Sequence, residues 1–114
     1  MEDKITQGYL YDFYGELLNE HQRQIYEDFV LNDLTLGEIA EQRGISRQAV
    51  HDMIRRSTRA LSEYEQKLHL IEKFVRIREK VEQIHRLASE TVAADAAEPM
   101  AQMVSLSNEI LEEL

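Results

Sequence analysis

The stretch LTLGEIAEQRGISRQAVHDMI, residues 34–54, limits what this chain can fold into more than any other. Thr35 and Glu38 have the spacing of a reciprocal capping box, and Leu34 and Ile39 stand at the two staple positions around it. They predict a helix that turns Leu36, Ile39 and Ala40 inward. Gly44 closes it, because a tight helix exit needs the left-handed backbone that glycine adopts without steric cost. Ile45 and Val50 flank Ser46 in the same staple arrangement, so Ser46 caps a second helix. Each cap contributes about 1 kcal/mol, and the pair defines both ends of the turn.

The rest of the chain reads as helix too. Leu10, Phe13, Tyr14, Leu17 and Leu18 recur at helical spacing, and Asn19 with Gln22 opens a second helix carrying Ile25, Tyr26, Phe29 and Val30. Asn32 and Asp33 signal a turn. Neither Pro nor Gly occurs between Ser46 and Glu90, which predicts one long helix with room for a single bend. Val50, Met53, Ile54, Ser57 and Leu61 mark one face of it. Leu70, Phe74, Ile77, Val81 and Ile84 form a second seam spaced four and three. Two seams need two covering surfaces, the second supplied by the C-terminal segment or by another subunit. After Glu90 the composition turns Ala-rich and acidic, with residues 93–98 expected as a joint. Pro99 suits the first turn of a last helix striped by Met103, Leu106, Ile110, Leu111 and Leu114.

With one Pro and four Gly in 114 residues, turn-formers are too few for many short strands, and the expected fold is all-α. Cysteine is absent, which excludes disulfides and thiolate metal sites. No apolar run exceeds three residues, so a soluble, cytoplasmic protein with no membrane insertion is expected. His21, His51, His69 and His85 have no helical ligand spacing, and the single Glu82/His85 pair lacks the second pair a carboxylate-bridged metal site requires. There is no glycine-rich phosphate loop and no nucleophile with a base. The sequence therefore predicts neither an enzyme nor a cofactor-binding protein.

The net charge of −9 is unevenly spread. Residues 1–34 hold eight acids and two bases, residues 87–114 hold six acids and no base, and residues 35–86 hold eight acids against eleven bases. A net positive balance is confined to the part that contains the glycine turn. An acidic chain is nevertheless poorly suited to binding duplex through phosphate neutralisation alone.

The spacing of Ala40, Gly44, Ile45, Val50 and Met53 resembles the helix-turn-helix pattern, in which a small residue permits close helix crossing and glycine relieves the turn. LLNEHQRQIYEDFVLNDLTLGEIAEQRGISRQAVHDMIRRSTRAL, residues 17–61, is similar to region four of bacterial sigma factors. Together with YLYDFYGELL before it and SEYEQKLHLIEKF after it, the chain resembles the YlxM family of small bacterial helix-turn-helix proteins over residues 9–74. That resemblance implies a non-enzymatic regulatory role in the signal recognition particle pathway, with the particle's RNA or its GTPase proteins as partners. The alternative is a DNA-binding transcriptional regulator, and a third reading is an interaction scaffold in which the motif is only a stable helix pair.

Docking of the sigma-region-four kind would bring Ser46, Arg47, Gln48, His51 and Arg55 to a nucleic-acid groove, with Arg56 and Arg59 extending the positive side. Asp52 lies among them and is unsuited to phosphate. The structural alternative for Arg56 and Arg59 is pairing with Glu63 and other neighbours on a solvated face. The expected organisation is a helix-turn-helix domain at 1–61 with its motif at 35–54, a long helical arm at 62–90 that makes a homodimer, and an acidic linker with an amphipathic helix at 91–114.

Overall fold

The computed structural model describes residues 3–90 and 97–114. Six α-helices make up nearly all of these residues, with no strand among them: α1 Lys4–Tyr14, α2 Glu20–Val30, α3 Leu36–Arg43, α4 Arg47–Leu68, α5 Leu70–Glu90 and α6 Ala97–Glu113. The expected joint at 93–98 lies largely outside the described residues; of it, Ala97 and Glu98 begin α6. The chain forms two compact units, Met1–Ile71 and Glu72–Leu114. The sequence boundary at 61 falls inside α4, which continues to Leu68.

The capping residues act as the sequence predicts. Asn19 and Gln22 close a reciprocal box on α2, and Thr35 and Glu38 do so on α3. Gly44 takes the left-handed conformation at φ 68°, and the Ser46 hydroxyl accepts from the Ala49 amide at 3.0 Å. Two elements differ from the sequence reading. Helix α1 stops at Tyr14 and gives way to a 3₁₀ turn, Gly15–Leu17, which leaves Leu17 exposed while Leu18 is buried. The Gly15 backbone lies against the Tyr11 ring, where an added Cβ would come within 2.6 Å of ring carbons. The expected long helix is interrupted at His69, whose φ of 56° is left-handed and separates α4 from α5.

Helix α4 is the hub of the first unit, packing against α1, α2 and α3. Val50, Ile54, Ser57 and Leu61 recur at helical spacing and are fully buried. Leu10 and Tyr14 from α1, Ile25 and Tyr26 from α2, and Ile39 and Ala40 from α3 close over them. Ala40 sits where α3 meets α4, so its lack of side-chain bulk sets the closeness of that crossing.

Polar groups inside this core converge on Thr58. Its Oγ1 lies 2.7 Å from the Tyr26 hydroxyl and accepts from Gln7 Nε2 at 3.4 Å, which joins α1, α2 and α4 at one buried atom. The Thr58→Val variant keeps the shape but removes one hydrogen bond from each of two buried side chains. We expect it to lower unfolding free energy by about 1–3 kcal/mol in urea titration.

Two tyrosine–carboxylate bonds flank the core. The Tyr11 hydroxyl donates to Glu27, and the Tyr14 hydroxyl donates to Glu65. The first two amides of α5 are satisfied here as well, Leu70 N–H by the Tyr14 hydroxyl at 3.2 Å and Ile71 N–H by Glu65 Oε1 at 3.0 Å. Burial first, and then the neighbouring carboxylate, raises both phenols, Tyr11 to about 12. A phenol raised in the folded state contributes stability that is complete below its ordinary value near 10 and disappears as pH climbs through the folded value. Stability should therefore fall between pH 10 and about 12, and the Tyr11→Phe variant should show a shallower fall over that interval when unfolding is measured at each pH.

In the second unit no residue of α5 or α6 is buried. Arg76 of α5 donates from Nε and Nη2 to Glu113 of α6 at 3.2 and 3.1 Å, and from Nη1 to Glu72 at 3.0 Å. A cleft between Gln83, Leu87 and Glu90 on α5 and Gln102 and Leu106 on α6 sets the later part of one helix beside the earlier part of the other. The two helices are therefore antiparallel.

Candidate nucleic-acid interface

The apolar periodicity of α4 turns one face of its N-terminal half into the core, and the residues between those positions must face outward. Gln48, Asp52, Arg55 and Arg59 follow one another at three- and four-residue spacing on that outer face, with His51 beside Asp52. The Ser46 cap and the Gly44 turn determine where this face begins. The seven residues expected to meet nucleic acid, Ser46, Arg47, Gln48, His51, Arg55, Arg56 and Arg59, all belong to the cap and first thirteen residues of α4. His51 is half-buried and the other six are exposed.

Their side chains are not equally available. The Ser46 hydroxyl is committed as an acceptor to the Ala49 amide and keeps its own proton to donate. The stem of Arg47 runs beside the backbone of Gly37, with its Cδ 3.8 Å from where a Cβ would stand, so the guanidinium issues from the junction of α3 and α4. Asp52 gathers four of the others. Its Oδ1 accepts from Gln48 Nε2 at 3.0 Å and lies 3.8 Å from both His51 Nδ1 and Arg55 Nη2, while its backbone carbonyl accepts from Arg56 Nε at 3.4 Å. Arg59 approaches Glu63 at 3.6 Å, with its side chain 83% exposed. An exposed pair of this kind is worth little and opens readily for a stronger anion.

Arg43 is a further cation beside the motif, at the end of α3. In the fold it donates to Asp28 at 2.8 Å and to Gln24 at 3.1 Å, which clamps α3 to α2. Lys4 is engaged in a comparable way, bonding Asp33 at 2.7 Å over the Phe29 ring. The basic surface of the motif is thus Arg47, Arg55, Arg56 and Arg59 with Asp52 in its midst. The central role of Asp52 was visible in the sequence only as its spacing of four from Gln48 and three from Arg55.

This arrangement can present cations to a phosphate backbone, but it holds its one amide inside the helix. Asp52→Asn removes the anion from the middle of the face and releases Arg55 from it, while the new amide oxygen still accepts from Gln48. We expect severalfold tighter binding of a short RNA hairpin at low salt, with the gain shrinking as salt rises, read by fluorescence anisotropy.

A capped helix, a left-handed glycine turn and a second helix whose outer face is free of the core define a helix-turn-helix protein. Sequence comparison agrees: residues 1–100 match the profile of the UPF0122 family, described as "Putative helix-turn-helix protein, YlxM / p13 like". Among its relatives, a UPF0122 protein of Shouchella clausii is 39% identical over 104 residues, which is 91% of this chain and 95% of that protein. A UPF0122 protein of Geobacillus kaustophilus is 45% identical over 96 residues, 84% of this chain and 87% of its own. The chain belongs to the YlxM/p13-like UPF0122 family. This family is described as one of helix-turn-helix proteins. Among the described residues no helix is long and apolar enough to cross a membrane.

Proposed function

We propose that this protein is a non-enzymatic regulatory factor of the bacterial signal recognition particle pathway, acting in the cytoplasm. It binds the particle's RNA, its GTPase proteins or both through the helix-turn-helix unit, as a homodimer held by the helical extension. The observation that carries the nucleic-acid part is the outer face of α4. Arg55 and Arg59 project with side chains 66% and 83% exposed, while Gln48, the group best suited to reading a base edge, is bonded to Asp52. Such a surface grips backbone more readily than it reads sequence, and RNA is recognised largely by shape and by its phosphates. The connection to the particle itself is what the family resemblance implies.

A second reading, a DNA-binding transcriptional regulator, draws support from Arg47, which issues from the α3–α4 junction, next to the glycine turn and at the end of the helix that enters a groove in this architecture. The two readings separate experimentally. Replacing Arg55, Arg56 and Arg59 together by Ala should abolish nuclease-sensitive co-purification with the particle's RNA while the circular dichroism spectrum stays unchanged. Full recovery of RNA with the triple variant defeats the RNA reading. On the DNA reading, Arg47→Ala should weaken particular duplexes more than random ones, and the absence of any duplex binding at low salt removes it.

A further inference from the structure

The break between α4 and α5 falls where the local sequence does not ask for one. Residues 47–90 contain neither Gly nor Pro. Apolar spacing runs through the break without a change of register: Leu61, Tyr64, Leu68, Ile71 and Val75 stand three, four, three and four residues apart, the pattern of one uninterrupted helical face. A stop fixed by local sequence looks like the end of α3, where Gly44 takes the left-handed conformation with no Cβ to crowd. His69 takes the same conformation, φ 56° and ψ 29°, with a Cβ pressed toward the following carbonyl. Local chemistry thus favours one helix, and a contact from elsewhere has to hold the segment as two.

That contact comes from α1. In a continuous α-helix the Leu70 amide would bond the Gln66 carbonyl and the Ile71 amide the Lys67 carbonyl, each four residues back. Instead Leu70 N–H donates to the Tyr14 hydroxyl at 3.2 Å, and Ile71 N–H donates to Glu65 Oε1 at 3.0 Å. The Tyr14 hydroxyl donates in turn to the same Glu65 oxygen, which joins the two acceptors into one group. Tyr14 is 1% exposed and packs beside Tyr64, so the core fixes the position of its hydroxyl. It is the last residue of α1 and lies 56 positions from Leu70 in the chain, beyond the reach of any local rule.

We propose that Tyr14 and Glu65 form a latch on a two-state joint. Latched, residues 47–90 run as α4 and α5 with a left-handed turn at His69; unlatched, they join into one helix through His69. Opening exchanges the side-chain bonds on the Leu70 and Ile71 amides for backbone bonds and relieves the crowding at His69. The latch bonds and the present packing of Ile71 against the core oppose it. Because Tyr14 ends α1, the joint is coupled to the docking of α1 on α4. The latch is independent of what the outer face of α4 binds.

The test is proton NMR of the full chain, isotope-labelled for assignment, on the parent, Tyr14→Phe/Glu65→Ala and Glu65→Gln. A positive φ gives a strong cross-peak between the amide and α protons of His69. A helix running through His69 gives instead cross-peaks from the Gln66 α proton to the Leu70 amide and from the Lys67 α proton to the Ile71 amide. We expect the first pattern in the parent and its loss in Tyr14→Phe/Glu65→Ala, where the second pattern replaces it. Glu65→Gln should keep the parent pattern, because its amide oxygen still accepts from Tyr14 and Ile71. Unshifted Val50 and Ile54 amide signals report an intact core; where the double variant loses them, the comparison passes to Glu65→Ala alone, which leaves the buried ring in place. A parent with the helical pattern overturns the joint. A left-handed His69 that survives removal of the latch bonds overturns the latch. Conversion to one helix in Glu65→Gln also overturns it, since the charge of Glu65 and not its hydrogen bonds would then hold the break.

Discussion

Burial of one face of α4 is the constraint on which the first unit depends. Helices α1, α2 and α3 are eight to eleven residues long, too short to be stable alone, and each covers its apolar side against Val50, Ile54, Ser57 or Leu61. Close packing leaves no room for rotation of α4 about its axis, because turning it would expose those side chains and bury its arginines. The same periodicity that builds the core therefore orients Arg55, Arg56 and Arg59 toward solvent. Core and candidate interface are two faces of one helix.

Polar chemistry within this unit serves the assembly of helices more than any reaction. Thr58 joins three helices through Tyr26 and Gln7, and Tyr14 with Glu65 satisfies the first amides of α5 at the left-handed residue His69. Arg43 and Lys4 hold α3 to α2 and the start of α1 to the turn before α3. These engagements leave a small basic surface on an acidic protein. A chain of net charge −9 then has little general attraction for polyanions, and the local field of α4 becomes the main term favouring nucleic acid.

The second unit obeys a different balance. Its two helices bury no residue among those described, yet their apolar residues follow the seam spacing of helices that pack. The seam of α5 was legible as Leu70, Phe74, Ile77, Val81 and Ile84, but its division was not. Ile77 and Ile84 turn toward α6, while Phe74 and Val81 remain on the outside. A periodic pattern identifies an apolar face without saying which neighbour covers which part.

What the sequence by itself determined was the helical class, the caps at Asn19, Thr35 and Ser46, the Gly44 turn and the inward set on α4, because each follows from local backbone chemistry or from helical period. Tertiary structure decided the points where two distant segments meet. Tyr14 and Glu65 hold the chain where α5 begins, and Asp28 takes Arg43 out of the basic surface. Local rules carry no information about which side chain arrives from another part of the chain. Competition among such partners depends on the packed geometry alone.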